Sequence, residues 1–389
     1  MNPQKITICG GGNGAQALTP IAANNIGCQV DIYAPFGDEA ERLRTNSATH
    51  GGLETIGAVQ SKSMPHRISA NPAEVIPGSD MVFLVMPAFA HESTLHQIAP
   101  HLDANAWVGA LPARGGFDYA AMSALAEHGR EDVRLFGLQT LPWACRIDRY
   151  GQVVNVLGVK QVVDAATRPR AQIEEISAVL KAMLGLSIGA VPNFLALTLA
   201  NTGQLIHPGI MYGLFANWDG EPFAKEETPL FYHNLSAAGA ETLAGLDDDI
   251  QAIRSQLASP YLDLTSVHHL KIWLERSYAH SILDPATLQS SFLTNQAYAG
   301  IKAPVREISP GQFIPDFHAR YLAEDVPFGL AVSRAIAQLA GVETPTMDKV
   351  IAWASEKLNK DYLGRDMNEA RIPQKYGLEN LEQLLAAYA

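Results

Sequence analysis

Short apolar runs alternate with helix-like segments over the first half of the chain. The runs occupy Ile6–Cys9, residues 28–35 and Met81–Met86, and two more lie in the segments 106–116 and 133–142. Segments with apolar residues at helical spacing separate these runs. Strands that alternate with helices form mostly parallel sheets with helices on both faces. The pattern therefore predicts an α/β, doubly wound N-terminal domain.

The alternation stops after about Val191, and apolar residues then recur at helical spacing. Gly189 and Pro192 lie at this change and indicate a break between domains. We therefore expect a first domain over residues 1–190 and an all-α C-terminal domain over residues 191–389. The helices predicted for this second domain are residues 193–206, 247–257, 265–281, 327–341 and 345–358.

A glycine-rich turn follows the first predicted strand. Gly10, Gly12 and Ala15 form a G-x-G-x-x-A pattern that leads into a helical segment. The first glycine permits a tight turn, the second lets the backbone approach a pyrophosphate, and the alanine lets the helix pack close to the strand. The N-terminus of that helix then faces the anion. This arrangement predicts an NAD(P)-binding domain of the Rossmann type.

Further cofactor contacts are expected at the carboxyl ends of the later strands, where ligands of such sheets bind. The loops concerned are Pro87–His91, Pro112–Gly116 and Gln139–Arg146. An acid for the adenine ribose is expected about 20 residues beyond the glycines. Asp38 and Glu39 follow a little later than this, and arginines follow them, so the motif leaves NAD and NADP both open.

The composition fits a folded protein, because 47% of the residues are hydrophobic and 17% are charged. A net charge of −12 argues against binding to nucleic acid and to anionic membranes. No apolar run reaches the roughly 18 residues that cross a bilayer, and the N-terminus lacks the layout of a signal peptide. We therefore expect a cytoplasmic protein. The widely spaced Cys9, Cys28 and Cys145 predict neither a disulfide framework nor a metal site.

One histidine in the second half stands where the chain is expected to bend. His207 precedes Pro208, which disfavours helical backbone at His207 and predicts that the preceding helix ends or kinks there. Arg320 and Asp325 precede a helix that Pro327 begins, with Asp325 at or next to its N-cap. Each residue alone is typical of a structural role. Together they offer a base, a carboxylate that orients it and a guanidinium for a substrate carboxylate.

Longer motifs extend over nearly the whole chain. They are CGGGNGA (9–15), PAFAHE (87–92), TLPWACRI (140–147), HPGIMYG (207–213), WDG (218–220), RYLAEDVPFG (320–329), DKVIAWASEKLNKDYL (348–363) and RIPQKYG (371–377). With these motifs the chain resembles the opine dehydrogenases, most closely their octopine branch. Many families share the glycine motif, whereas the His-Pro and Arg-Tyr-Leu blocks are specific to this one.

The resemblance implies an oxidoreductase that uses NADH, with NADPH also possible, as a monomer or homodimer. Such enzymes reductively condense a 2-keto acid, typically pyruvate, with the amino group of an amino acid. By the same resemblance, His207 is the acid/base and Asp325 its partner. Arg320 holds the keto-acid carboxylate, and Trp273 lies on the amino-acid side. The matching motifs also imply the cofactor-binding residues Gly10, Gly12, Asn13, Gly14, Ala15, Pro87 and Phe89.

Two positions depart from the octopine branch. Gln139 stands where those enzymes have a glutamate that bears on arginine use, and Arg114 adds a cation where they carry a neutral residue. A neutral amide cannot pair with a guanidinium as a carboxylate does. We therefore expect a donor other than arginine, such as alanine, glycine, β-alanine, taurine or an apolar amino acid.

Two other readings remain open at this point. One is a 2-hydroxy acid or polyol-phosphate dehydrogenase of related two-domain fold. Such enzymes usually carry a catalytic lysine on the first helix of the second domain, and residues 193–207 contain no lysine. The other is a non-catalytic NAD-binding protein, which would not need His207, Arg320 and Asp325. Replacement of His207 separates this last reading from an enzyme, which would lose turnover and keep cofactor binding.

Overall fold

The computed structural model describes residues 2–388, which form two compact units. The first unit comprises the chain up to Ala113 together with Phe117–Leu197. The second unit comprises the short segment Arg114–Gly116 together with the chain from Thr198 onward. Within residues 2–388, no helix has the length and apolar character needed to cross a membrane.

The first unit is built on strands and helices that alternate along the chain. Its first strand, Lys-Ile-Thr-Ile-Cys, is rich in β-branched residues and almost wholly buried. In chain order the strands are β1 (Lys5–Cys9), β2 (Gln29–Tyr33), β3 (Leu53–Gly57), β4 (Ser61–Ser63), β5 (Arg67–Ser69), β6 (Met81–Leu84), β7 (Trp107–Ala110), β8 (Arg134–Leu138), β9 (Trp143–Arg149), β10 (Val153–Val159), β11 (Val162–Arg168) and β12 (Ser187–Ala190). The helices are α1 (Asn13–Ile26), α2 (Glu39–His50), α3 (Pro72–Val75), α4 (His91–Ile98), α5 (Phe117–Ala126), α6 (Ile173–Leu184) and α7 (Phe194–Leu199), and the last of these contains the boundary at Leu197.

Eight of these strands form the sheet that the sequence predicts. Their order is β12-β11-β8-β7-β6-β1-β2-β5. All neighbours are parallel except β8 and β11, so the doubly wound α/β prediction is confirmed with one antiparallel pair. Strand β12 ends at the expected domain boundary, and it pairs with β11 at the edge of this sheet. The first unit extends past the expected boundary at residue 190.

A second, four-stranded sheet in the first unit was not expected from the sequence. Its order is β4-β3-β10-β9. Residues Gln139–Arg146 were expected to be a loop. This prediction is partly wrong, since β9 begins at Trp143. The turn between β9 and β10 contains Gly151 with a φ of 72°, which glycine adopts readily. This glycine between two apolar runs was the available indication of a hairpin.

The second unit is mainly helical. Its helices are α8 (Gly203–Phe215), α9 (Ala237–Leu257), α10 (Leu270–Tyr278), α11 (Leu288–Leu293), α12 (Arg320–Ala323), α13 (Ala331–Ala340), α14 (Pro345–Leu358) and α15 (Leu381–Ala386), with a π-helical turn at Val326–Leu330. The helix predicted at residues 345–358 is confirmed. Helix α9 begins earlier than expected, because the Ser236 hydroxyl caps it by accepting from Gly239 N–H. One hairpin, β13 (Val305–Ser309) and β14 (Gln312–Pro315), adds to the helices.

Pro208 lies inside a helix, so the expected helix end at His207 is wrong. The segment 193–206 is two helices, and α8 runs through both residues. The break lies upstream, where the Gln204 side chain donates to the carbonyl of Thr198 at 3.1 Å and satisfies an end of α7. The break between the two helices therefore lies before α8 and not at the proline.

Tight packing of α8 against α9 keeps the proline within the helix. A Cβ atom on Gly209 would lie 2.6 Å from Leu243, and Gly213 lies directly against Gly239. Most helix stability in a folded protein comes from such tertiary packing. It outweighs here the local preference of the residue before a proline.

Candidate active site

His207 and Asp325 form a hydrogen-bonded pair in the second unit. His207 lies on α8, and Asp325 immediately precedes the π-helical turn. His207 Nδ1 lies 2.8 Å from Asp325 Oδ2. The Asp325 side chain is 1% exposed and the His207 side chain 20% exposed. Asp325 stands at the predicted helix start but does not cap it, so its carboxylate serves the histidine instead.

Aromatic rings hold the His207 ring from the other sides. Tyr321 stacks on it with ring centroids 4.2 Å apart, and Phe231 lies 6.0 Å away. The Tyr232 hydroxyl lies 3.5 Å from Nε2, too far for a strong hydrogen bond. The ring is thus fixed in orientation while Nε2 keeps its capacity to exchange a proton. Sequence reasoning missed all three residues, although Tyr321 lies within the same motif as Arg320 and Asp325.

Arg320 joins the site through Glu324. Its Nε lies 2.5 Å from Glu324 Oε2, one helical turn away. Partial burial is the largest single effect and lowers the pKa of the Arg320 guanidinium, but Glu324 and Asp325 together outweigh it and raise this pKa above its usual value. The side chain is about half exposed, and no hydrogen bond with the described residues uses its two terminal nitrogens. Those nitrogens can therefore receive a carboxylate.

Arg114 is buried beside the same two acids. Its Nη1 forms an ion pair with Asp325 Oδ1, and its Nε lies 3.6 Å from Glu324 Oε1. The sequence led us to expect that Arg114 adds a cation to the substrate site. The structure corrects this expectation, because the guanidinium is 9% exposed and is occupied by carboxylates. Glu324, which sequence reasoning missed, connects Arg114 with Arg320.

Trp273 lies on α10 and is buried. Ring contacts link it to the histidine: Trp273 meets Tyr278 at 6.1 Å, Tyr278 meets Tyr298 at 5.2 Å, and Tyr298 stacks on Tyr232 at 3.9 Å. Burial, with a smaller effect of Tyr278 and Tyr232, raises the pKa of Tyr298 well above its usual value. The wall beside His207 is therefore built of aromatic rings, and the Tyr298 hydroxyl within it stays protonated.

The glycine turn in the first unit has the shape expected of a phosphate cradle. Gly10 has a φ of 120°, and a Cβ atom there would lie 2.5 Å from the carbonyl oxygen of Val85, so this residue must be glycine. A Cβ atom on Gly12 would meet nothing within 4 Å. Asn13 begins α1, and its side chain accepts from Ile147 N–H at 2.7 Å. The open space at Gly12, at the N-terminus of α1, fits an anionic group.

Gly14 and Ala15 explain how α1 approaches the sheet. A Cβ atom on Gly14 would lie 3.0 Å from Val85 and 3.2 Å from Leu141, and Ala15 is buried in the core. Pro87 and Phe89 follow β6 at the same edge of the sheet, and the Phe89 side chain is 63% exposed. Any larger side chain at Gly14 would therefore push α1 away from the sheet.

Glu39, at the start of α2, lies against the glycine turn. A Cβ atom on Gly11 would collide with its side chain. Burial raises the pKa of the Glu39 carboxyl above its usual value, and the nearby Tyr150 hydroxyl and Arg42 guanidinium offset this in part. Asp38, the other candidate acid, is exposed and pairs with Arg42 at 3.1 Å. Of these two acids, Glu39 is therefore the one that lies against the glycine turn.

Gln139 follows β8 in the first unit. Its backbone N–H donates to the carbonyl of Asp164 at 2.8 Å, and its side chain is buried. The second unit thus brings His207, Asp325, Arg320 and Arg114 together, whereas Gln139 and the glycine turn belong to the first unit. Within residues 2–388, no group of three or more His, Cys, Asp or Glu side chains is arranged to hold a metal ion.

A glycine cradle on a doubly wound sheet, with a histidine–carboxylate pair in a helical unit, defines the class of dinucleotide-dependent dehydrogenases. Comparison with known proteins narrows this class. Residues 190–358 match the family model described as NAD/NADP octopine/nopaline dehydrogenase, alpha-helical domain.

Relatives and solved structures agree with that match. The chain is 35% identical to octopine dehydrogenase of Mizuhopecten yessoensis, over 98% of each chain. It is 34% identical to tauropine dehydrogenase of Arabella iricolor, over 98% of this chain and 99% of the relative. A solved structure of octopine dehydrogenase with NADH and L-arginine superposes with a TM-score of 0.85 at 32% identity, again over 98% of both chains. The chain belongs to the opine dehydrogenase family, whose members are oxidoreductases.

Proposed function

We propose that this enzyme uses NADH to condense a 2-keto acid, pyruvate, reductively with the amino group of an amino acid other than arginine. The observation that carries the proposal is the bond between His207 Nδ1 and the buried carboxylate of Asp325. Histidine exchanges protons near neutral pH, and a carboxylate bonded to one ring nitrogen fixes which nitrogen does so. The exchanging atom is then Nε2.

His207 Nε2 can take the proton that the amino donor must lose and give a proton to the oxygen that leaves. As a neutral ring, His207 accepts a proton from the ammonium group of the donor, so that the amine can attack the keto carbon. As imidazolium, it gives one proton to the oxygen, which takes its second proton from the attacking nitrogen and leaves as water, so that a protonated imine forms. Asp325 stabilises the imidazolium between these two steps without taking the proton itself. Tyr321 and Phe231 keep the ring in the orientation for both steps.

Arg320 supports binding of the keto acid. Its terminal nitrogens present parallel donors to a carboxylate, and Glu324 holds the guanidinium by Nε alone. A carboxylate that accepts from both terminal nitrogens of Arg320 has a defined orientation, and this also fixes the orientation of the adjoining keto carbon. Loss of this anchor would raise KM for the keto acid.

The glycine turn fits the cofactor. Gly10, Gly12 and the first turn of α1 would hold the pyrophosphate, and Glu39 would accept hydrogen bonds from the adenine ribose hydroxyls. A carboxylate at this place repels the additional phosphate of NADP, so Glu39 supports NADH. When bound, NADH supplies the hydride that reduces the imine carbon.

Replacement of Gly12 tests the cradle. Because a Cβ atom at Gly12 meets no protein atom, we expect Gly12→Ala to fold with an unchanged melting temperature. The added methyl group occupies space assigned to the pyrophosphate, so Kd for NADH should rise about tenfold or more. NADH fluorescence titration measures it. Gly158→Ala, where a Cβ atom also meets nothing, is the matched control and should leave Kd unchanged. Equal Kd values for both variants would contradict the cradle.

The charges around His207 support a neutral donor. Asp325 pairs with His207 and Arg114, and Glu324 pairs with Arg114 and Arg320. A guanidinium on the donor would have to compete for these acids. By the resemblance, this chain also has the amide Gln139 where the octopine branch has a glutamate. The relatives named for octopine and for tauropine are nearly equally similar to this chain, so overall identity does not favour arginine.

A donor panel tests this specificity. With pyruvate and NADH, we expect kcat/KM for alanine, glycine, β-alanine, taurine or an apolar amino acid to exceed that for arginine about tenfold or more, because an unpaired guanidinium in the site is costly. Citrulline, which has the length of arginine without its charge, serves as the matched substrate. Gln139→Glu should raise the use of arginine relative to citrulline. Arginine as clearly the best donor of the unmodified enzyme would overturn this specificity.

A further inference from the structure

Arg114 and His207 share one buried carboxylate. We propose that Arg114 is a positioning residue that acts through Asp325: its ion pair weakens the attraction of Asp325 for a protonated His207, so that His207 remains neutral and able to accept a proton. The proposal rests on the acid/base role proposed for His207. It goes beyond that role because it assigns control of the histidine to a residue that does not touch it in any described contact.

The two contacts use different oxygens of Asp325. His207 Nδ1 bonds to Oδ2, whereas Arg114 Nη1 faces Oδ1. The second contact is an ion pair and not an aligned hydrogen bond. Asp325 and Arg114 are 1% and 9% exposed, so water screens their interaction little. The charge of Arg114 therefore acts electrostatically on every group bonded to the Asp325 carboxylate.

The backbone is built to admit Arg114 at this place. Gly203, the first residue of α8, lies beside the guanidinium, and a Cβ atom there would come within 2.6 Å of Nη1. Any other residue at position 203 would force Arg114 to move. The sequence thus provides room for the contact four residues before His207, on the same helix.

The balance of charge gives the direction of the effect. Asp325 and Glu324 carry two negative charges, and Arg114 and Arg320 carry two positive charges. The cluster is neutral when His207 is neutral and gains a positive charge when His207 takes a proton. Without Arg114 the cluster would be negative, and protonation of His207 would neutralise it. Arg114 therefore disfavours the imidazolium.

Helices α9 and α14 also pack against α8. Helix α9 places Leu243 and Leu246 against Gly209, and α14 places Trp353 and Lys349 against Tyr212. The described contacts of the His207 ring are with Asp325, Tyr321, Tyr232 and Phe231. Arg114 pairs with Asp325 and Glu324, and Arg320 pairs with Glu324. Arg114 is thus the cation bound directly to the carboxylate that holds His207.

The test is an NMR titration of the His207 ring in protein labelled with ¹⁵N-histidine, assigned by comparison with His207→Gln. For Arg114→Gln we expect the midpoint of His207 protonation to move to higher pH by about one unit or more, as the loss of a close cation predicts. Arg114→Lys, which keeps the charge, should leave the midpoint near that of the unmodified protein. Gly203→Ala displaces Arg114 without removing it and should move the midpoint in the same direction by a smaller amount. Gly203→Ala keeps the test decisive if Arg114→Gln does not fold.

Arg334→Gln is the control, because Arg334 pairs at 3.0 Å with Asp348 in the same unit and should leave the His207 midpoint unchanged. The proposal is overturned if Arg114→Gln and Gly203→Ala both leave the midpoint in place, or if either lowers it. The titration needs no substrate, so its outcome is separate from the proposed reaction. If the reaction is also observed, the acidic limb of kcat/KM against pH should move with the NMR midpoint.

Discussion

Replacing His207 by glutamine should lower kcat by about 10²- to 10⁴-fold, the usual contribution of a positioned acid/base. Glutamine can still form hydrogen bonds in this space, but it cannot carry a proton between the amine and the leaving oxygen. Because the glycine turn belongs to the first unit, Kd for NADH should remain unchanged. Steady-state turnover with pyruvate and the best donor, together with NADH titration, measures both quantities.

His269 provides a matched control for this replacement. It also bonds through Nδ1 to an aspartate, at 2.9 Å from Asp247 Oδ2, but its side chain is half exposed. His269→Gln should therefore turn over at nearly the unmodified rate. If His207→Gln retained turnover similar to His269→Gln, the acid/base assignment of His207 would be wrong. If His207→Gln lost NADH binding as well, its defect would be structural.

Asp325→Asn should reduce kcat by a similar amount, on the order of 10³- to 10⁴-fold. The carboxylate now accepts a hydrogen bond from Nδ1 and so leaves the lone pair of the neutral ring on Nε2. An amide can donate to Nδ1 instead, which would place the proton on Nε2 and remove the base. The same change deprives Arg114 of one of its two anions, so a fall in melting temperature should accompany it.

Two comparisons separate these effects for Asp325→Asn. Asp247→Asn, in the exposed pair with His269, should leave kcat nearly unchanged. Asp325→Asn combined with Arg114→Gln removes the unpaired cation and should recover part of the lost stability, but not the lost turnover. Recovery of turnover in the double variant would mean that Asp325 acts only to neutralise Arg114, contrary to its assigned role.

Much of the first unit follows from local sequence. The run Ile6–Cys9, the glycine turn and the helix after it are contiguous, so their pattern alone specifies strand, turn and helix. Proximity in sequence cannot supply the second sheet, because β3 pairs with β10 across a long stretch of chain. Strand β9, in contrast, pairs with β10 in a local hairpin, and Gly151 in its turn was the signal that could have predicted it.

The candidate site divides in the same way. Arg320, Asp325 and the missed Glu324 and Tyr321 lie in one motif, and the resemblance made His207 their partner. Pro208 led to the wrong prediction of a helix end. A residue before a proline disfavours helical backbone, but the packing of α8 against α9 outweighs this preference. The pairing of Arg114 with Asp325 joins distant parts of the chain, and only the folded structure reveals that this cation is already bound.

The central claim is that the enzyme joins the two substrates through an imine and reduces the imine carbon with hydride from NADH. The most direct measurement uses NADH deuterated at the transferred position, pyruvate and the best donor with ¹⁵N in its amino group, followed by mass spectrometry and NMR of the product. We predict one secondary amine that carries deuterium on the carbon bonded to ¹⁵N. Deuterated lactate without nitrogen, formed equally well when the donor is omitted, would contradict the account.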